Sequence, residues 1–110
     1  MSAREVSDDT ALAITTSRTT TGVLPYQGVC HAMVYVPNGS SITTLTFYPI
    51  FVVSGSDVIP STAAKDSSNA TISLTVAANT ATQMPLSLSA AKRIAIVGDA
   101  TGTIYVQAKS

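Results

Sequence analysis

Charge is what this chain lacks most. Asp, Glu, Lys and Arg make up 11% of its 110 residues, where an ordinary soluble domain carries about 25%. A free monomer of 11.3 kDa has a large surface for its volume and normally covers it with ionised side chains. Six basic and six acidic residues are too few for that, and their formal sum is zero. Ser and Thr, roughly a quarter of the sequence, supply the polarity that charge usually provides. Such a surface is expected to be covered by other copies of the chain or by a larger assembly. The balanced charge leaves no basic excess to attract nucleic acid or anionic lipid.

Other absences narrow the reading further. The single cysteine, Cys30, cannot close an internal disulfide, which fits assembly in a reducing cytoplasm. One Cys and one His cannot build a closed zinc site within one chain. Trp is absent and aromatics amount to 5%, which argues against the flat aromatic platform of a carbohydrate-binding face. Tyr26, Tyr35, Tyr48 and Tyr105 are expected at interfaces or core edges instead. Met1 to Asp9 (MSAREVSDD) has no apolar stretch like that of a secretory signal peptide. No segment approaches the ~20 apolar residues of a membrane span. The only glutamate, Glu5, lies in that same segment, and no acid/base or nucleophile constellation stands out, so no enzyme, cofactor or metal site is expected.

What the chain has in abundance is strand pattern. Residues 10–17 place Leu12 and Ile14 on one face. Residues 29–36 (VCHAMVYV) are apolar at both parities. Val29, His31, Met33 and Tyr35 fall on one face, and Cys30, Ala32, Val34 and Val36 on the other. One face should pack on the core and the other against a second sheet or subunit, and which is which is open at this level. Asn38-Gly39 between two apolar runs predicts a hairpin. Residues 42–53 form the next strand, with Pro49 predicting a bend and a change of sheet. Residues 55–69, rich in Ser, Asp and Pro, form the longest predicted break and the expected mobile region. Residues 71–77 alternate with Ile72, Leu74 and Val76 inward, and residues 85–89 with Leu86 and Leu88. Residues 93–98 put Ile94 and Ile96 inward. Residues 98–102 predict a hairpin turn into residues 103–109, where Ile104, Val106 and Ala108 share a face. The only helical hint, Ser89 to Arg93, is at most a short turn. The expectation is a flexible tail over residues 1–9 and one antiparallel β-sandwich over 10–110, with seven or eight strands.

Residues of chemical interest resolve mostly into structural roles. Cys30 and His31 are adjacent, so on a strand they point to opposite faces and cannot share a proton. A buried thiol and an imidazole at a subunit contact are expected. Asp57, Asp66 and Asp99 sit beside turn residues but lack the dense acidic loop of a calcium site, so turn and cap roles are expected. Lys92-Arg93, the only adjacent basic pair, reads as a solvated strand start. Asn38-Gly39-Ser40 and Asn69-Ala70-Thr71 match a glycosylation acceptor pattern but read as turns.

The run from Arg93 to Lys109 (RIAIVGDATGTIYVQAK) resembles the final hairpin of small virion proteins of tailed bacteriophages. There an R-I-x-I-V strand, an A-x-G-T turn and a V-x-x-K strand end the chain. The resemblance covers about the last sixth of the sequence and brings no catalytic residues with it. It implies a jelly-roll-like subunit, made in the host cytoplasm and carried in the virion. There it would stabilise or decorate a capsid as a homotrimer in contact with the major capsid protein, with neither nucleic acid nor membrane as partner. The tail would order on a neighbouring capsomer. The alternatives are a non-enzymatic ligand- or glycan-binding β-module and a surface appendage subunit.

Overall fold

The computed structural model describes residues 9–29, 31–88 and 90–109. Cys30 and nearly all of the expected tail (residues 1–8) lie outside the described residues. The fold is all-β and antiparallel. Its strands are β1 (Thr10–Ile14), β2 (Val23–Pro25), β3 (His31–Val36), β4 (Thr44–Pro49), β5 (Phe51–Val53), β6 (Ser56–Val58), β7 (Ser73–Thr75), β8 (Thr80–Gln83), β9 (Arg93–Gly98) and β10 (Gly102–Lys109). One four-stranded sheet runs β1-β10-β3-β8, a second runs β2-β9-β4-β7, and β5 and β6 form a separate ribbon.

The pairings are nested. β1 pairs with β10, β2 with β9, β3 with β8, and β4 with β7. The chain thus folds back on itself as one long hairpin, rolled so that successive pairs fall in alternate sheets. Alternation in β3 decides its faces: Ala32, Val34 and Val36 are buried while His31, Met33 and Tyr35 are exposed. The inward residues of both sheets, among them Ile14, Val34, Ile104, Phe47, Ile94 and Ile96, form one hydrophobic cluster. A sandwich-like packing follows, because each sheet has one apolar face that only the other can cover. β9 is buried on both faces, and its outward Ala95 lies in register with Val23 and Tyr48. Thr21, the buried polar residue, is satisfied: its hydroxyl accepts from the Thr15 amide at 3.0 Å and donates to the Ile96 carbonyl.

Several expectations need correcting. The Asn38-Gly39 turn forms, with Gly39 at φ +87°, but β3 and β4 belong to different sheets. The turn starts a crossing between sheets, not a hairpin, and Ile42 plugs the space between them, fully buried. The same holds at residues 98–102, where β9 and β10 lie in opposite sheets. Gly98 is required there, since a Cβ would come within 2.7 Å of the Ile14 side chain. Residues 85–89 are not a strand. Leu86–Leu88 is a 3₁₀ turn closed by Leu88 N–H to the Pro85 carbonyl, with Leu88 buried and Leu86 exposed. Ala108 is exposed where the last strand runs out of the sandwich. Ten strands replace the expected seven or eight: β2 and β6 are three residues long and the edge strand β8 has no apolar alternation, so period-2 patterning misses them.

Residues 42–53 do break after Pro49, and β5 leaves the sheet to pair with β6. The stretch expected as one long break contains β6. Ser54 (φ 53°) and Gly55 (φ 82°) form the two-residue connection, the paired positive φ of a type I′ hairpin turn. Further on, Asp66 Oδ1 accepts from the amides of Ser68 and Ala70 at 2.8 and 3.0 Å, an Asx turn that sets Asn69 at φ 63°.

The two parities of β3 make a direct test. Val34→Glu buries an unpaired charge and is expected to cost several kcal/mol, abolishing the cooperative thermal transition followed by circular dichroism. Tyr35→Glu, at a side chain 40% exposed, is expected to keep that transition. Equal melting of the two variants would contradict the assigned faces.

Candidate functional site

The strands define two ends of the molecule, and the chemistry differs between them. At one end lie Ile14, Val36, Gly98 and Gly102, closed over Ile42. Here Asp99 ties the β9–β10 crossing to the start of β4. Its carboxylate accepts from the Thr43 hydroxyl, from the Thr43 amide at 2.9 Å and from the Thr44 amide at 3.2 Å. The hydroxyl bond and the two amide bonds favour the ionised form and hold the Asp99 pKa down at about 2. The cap role expected for Asp99 is therefore present, and it joins segments 55 residues apart.

At the opposite end, where β2 and β4 finish and β3 and β9 begin, the surface is apolar and open. A groove of about 730 Å³ lies there. Ile72 and Leu88 line it as buried residues, Ala64 and Ala91 as half-buried ones, and Phe51 and Val52 of the ribbon form an exposed wall. Lys65, Lys92 and Arg93 also contribute to the lining. Arg93 holds the ribbon in place: its two terminal nitrogens donate to the two carboxylate oxygens of Asp57 on β6, at 2.7 and 2.8 Å. The expected solvated strand start is thus half of an ion pair, which holds the Asp57 carboxyl below the usual carboxylate range mainly through those hydrogen bonds. The pair is exposed, so its worth is orientation more than stability.

Strand register sorts the ribbon's faces. Phe51 faces Val58 across the ladder, Val52 faces Asp57, and Val53 faces Ser56. With alternation, Phe51, Val53 and Val58 share one face, and Val52 shares the other with Asp57, the side turned to Arg93. Exposure is 56% for Phe51, 66% for Val52, 53% for Val53 and 42% for Val58. Neither face of the ribbon is covered.

A smaller apolar surface lies on the outer face of the β1-β10-β3-β8 sheet. Tyr35 and Tyr105 are cross-strand partners with ring centroids 6.2 Å apart, and Met33 stands on the same face, 41% exposed. The Tyr35 hydroxyl donates to Asn79 Oδ1 at 3.4 Å. Of the four tyrosines, Tyr26 is buried in the core, and that burial raises its pKa. His31 is exposed at the start of β3. Among the described residues no group of three or more His, Cys, Asp or Glu side chains converges, and no helix is long and apolar enough to cross a membrane. The ribbon was the feature sequence reasoning missed. Its signal was there, in Ser54-Gly55 between two short apolar runs.

Comparison with family models, with curated proteins and with solved structures finds no match for this chain.

The depressed pKa of Asp99 gives a pH prediction. Its folded value, about 2, lies below the unfolded value of about 3.9. Its stabilisation is therefore complete above about pH 4 and is lost as pH falls from about 4 towards 2. Asp99→Asn is expected to lower the urea midpoint at pH 7 and to flatten its decline across that acid window. An unchanged acid slope in the variant would show that other carboxylates carry it.

Proposed function

We propose that this chain is a structural virion protein that stabilises or decorates a viral capsid, working through contacts between its own copies and with the major capsid protein. Its topology supports this reading. With the ribbon left out, eight strands remain. Renumbered in chain order, they lie in sheets 1-8-3-6 and 2-7-4-5, the arrangement of a jelly roll, which recurs in viral capsid domains. Fold alone does not assign function. The observation that carries the proposal is the β5–β6 ribbon, apolar on both faces and held out from the sheets by one ion pair. A two-stranded ribbon is marginal in water without a surface to lie on, and an exposed patch of this kind marks an interaction site. A chain with 11% charged residues that also projects such a ribbon is built to be covered. Synthesis in the host cytoplasm, residence in the virion and a homotrimeric state are parts of the same proposal.

The groove favours a second reading, a ligand-binding module. Its 730 Å³ falls within the range of small-molecule pockets, about 300–1,000 Å³. Phe51 is the one aromatic side chain in its lining, a poor platform for stacking a sugar. Native mass by light scattering separates the readings. A trimer or larger ring is expected, and a stable, soluble 11.3 kDa monomer would overturn self-assembly and favour the ligand module.

A further inference from the structure

We propose that the β5–β6 ribbon is an arm that inserts into the groove of the next copy of this chain, so that head-to-tail contacts close a ring. The inference rests on the self-assembly reading above and names its contact. Ribbon and groove sit side by side at one end of the molecule, since Phe51 and Val52 wall the groove of their own copy. The face carrying Phe51, Val53 and Val58 is turned from Arg93, and Val53 does not line its own groove. A copy therefore presents an apolar projection and an apolar recess that do not fill one another.

The occupant follows from chemistry and area. The ribbon's one ionised residue, Asp57, is held by Arg93 of its own copy, so what remains for a partner is Phe51, three valines and the Ser54-Gly55-Ser56 turn. An apolar recess of about 730 Å³ matches that projection, and a second copy supplies both at equal concentration. From their fractional exposures, the four apolar residues offer about 350 Å², and a matching groove area brings one contact to about 700 Å². That falls short of the roughly 1,200–2,000 Å² of a stable pair. In a closed ring each copy is held by two such contacts, one through its ribbon and one through its groove. The ring is therefore favoured over the dimer, and the contact is heterologous.

A complementation experiment tests this. Val53→Asp spoils the ribbon and Ala90→Arg spoils the groove, and both positions are exposed, so folding is checked by thermal melts. Each variant alone is expected to run as an 11.3 kDa monomer. An equimolar mixture is expected to form a two-copy species and nothing larger, because one intact ribbon meets one intact groove. Val53→Thr, which keeps strand propensity, is expected to weaken parent association about 5- to 10-fold. If the parent chain associates but either variant keeps its mass, or the mixture stays monomeric, ribbon-in-groove contact is wrong while self-assembly stands. A monomeric parent overturns both.

Discussion

One core shared by two sheets is the constraint on which everything else depends. Each sheet has a single apolar face, and the nested pairing of β1 with β10, β2 with β9, β3 with β8 and β4 with β7 brings those faces together. Val34, Phe47, Ile94, Ile96 and Ile104 are fully buried because strands distant in sequence meet there. A one-residue slip in any ladder would turn its inward residues to solvent. Register is therefore set by burial, and turn chemistry follows it. Strand ends then fix what stands at each end of the molecule, including where Pro49 releases the chain into the ribbon.

The strand faces were legible because period-2 alternation is local. In β3, β9 and β10 the residues expected to share a face do so, and the all-β, antiparallel architecture follows from them. Sheet membership was not legible. Asn38-Gly39 and the run from Gly98 to Gly102 carry turn chemistry that a hairpin would also use, yet both lead from one sheet into the other. A turn dipeptide reports backbone φ; it does not report whether the next strand pairs with its neighbour or crosses the core. What marks the crossings is elsewhere: Ile42 as a plug, Gly98 pressed against Ile14, and Asp99 reaching back to Thr43 and Thr44. Those relations join residues far apart in the chain, so no window along the sequence contains them.

The candidate site was half legible. Low charge predicted a covered surface, but composition has no address, and attention fell on the odd face of β3. That face does expose Met33 and Tyr35, although Phe51, Val52 and Val53 are more exposed than either. The run 51–53 reads as the continuation of a buried strand. It becomes a projection only because Pro49 ends β4 and the next two-residue turn, at Ser54-Gly55, folds the chain onto Ser56–Val58 rather than onto a sheet. The same three apolar residues would be core in one path and surface in the other.

The distribution of polar bonds between the two ends sharpens this. At the closed end, Asp99 and Thr43 fasten crossing segments, and buried Ile42 fills the gap. At the open end, the one ion pair found among the described residues, Arg93–Asp57, fastens the ribbon to β9. Charge in this chain is scarce, and here it is spent on holding an apolar element in a fixed pose rather than on solvating it. An exposed ion pair contributes little to folding stability, so the core does not need this one. A ribbon with both faces open does need an orientation if it is to meet a fixed recess, because a rigid arm loses less entropy on docking than a loose one. Preorganisation of an uncovered apolar arm is the arrangement that links the shortage of charge, the topology and the groove in one physical scheme.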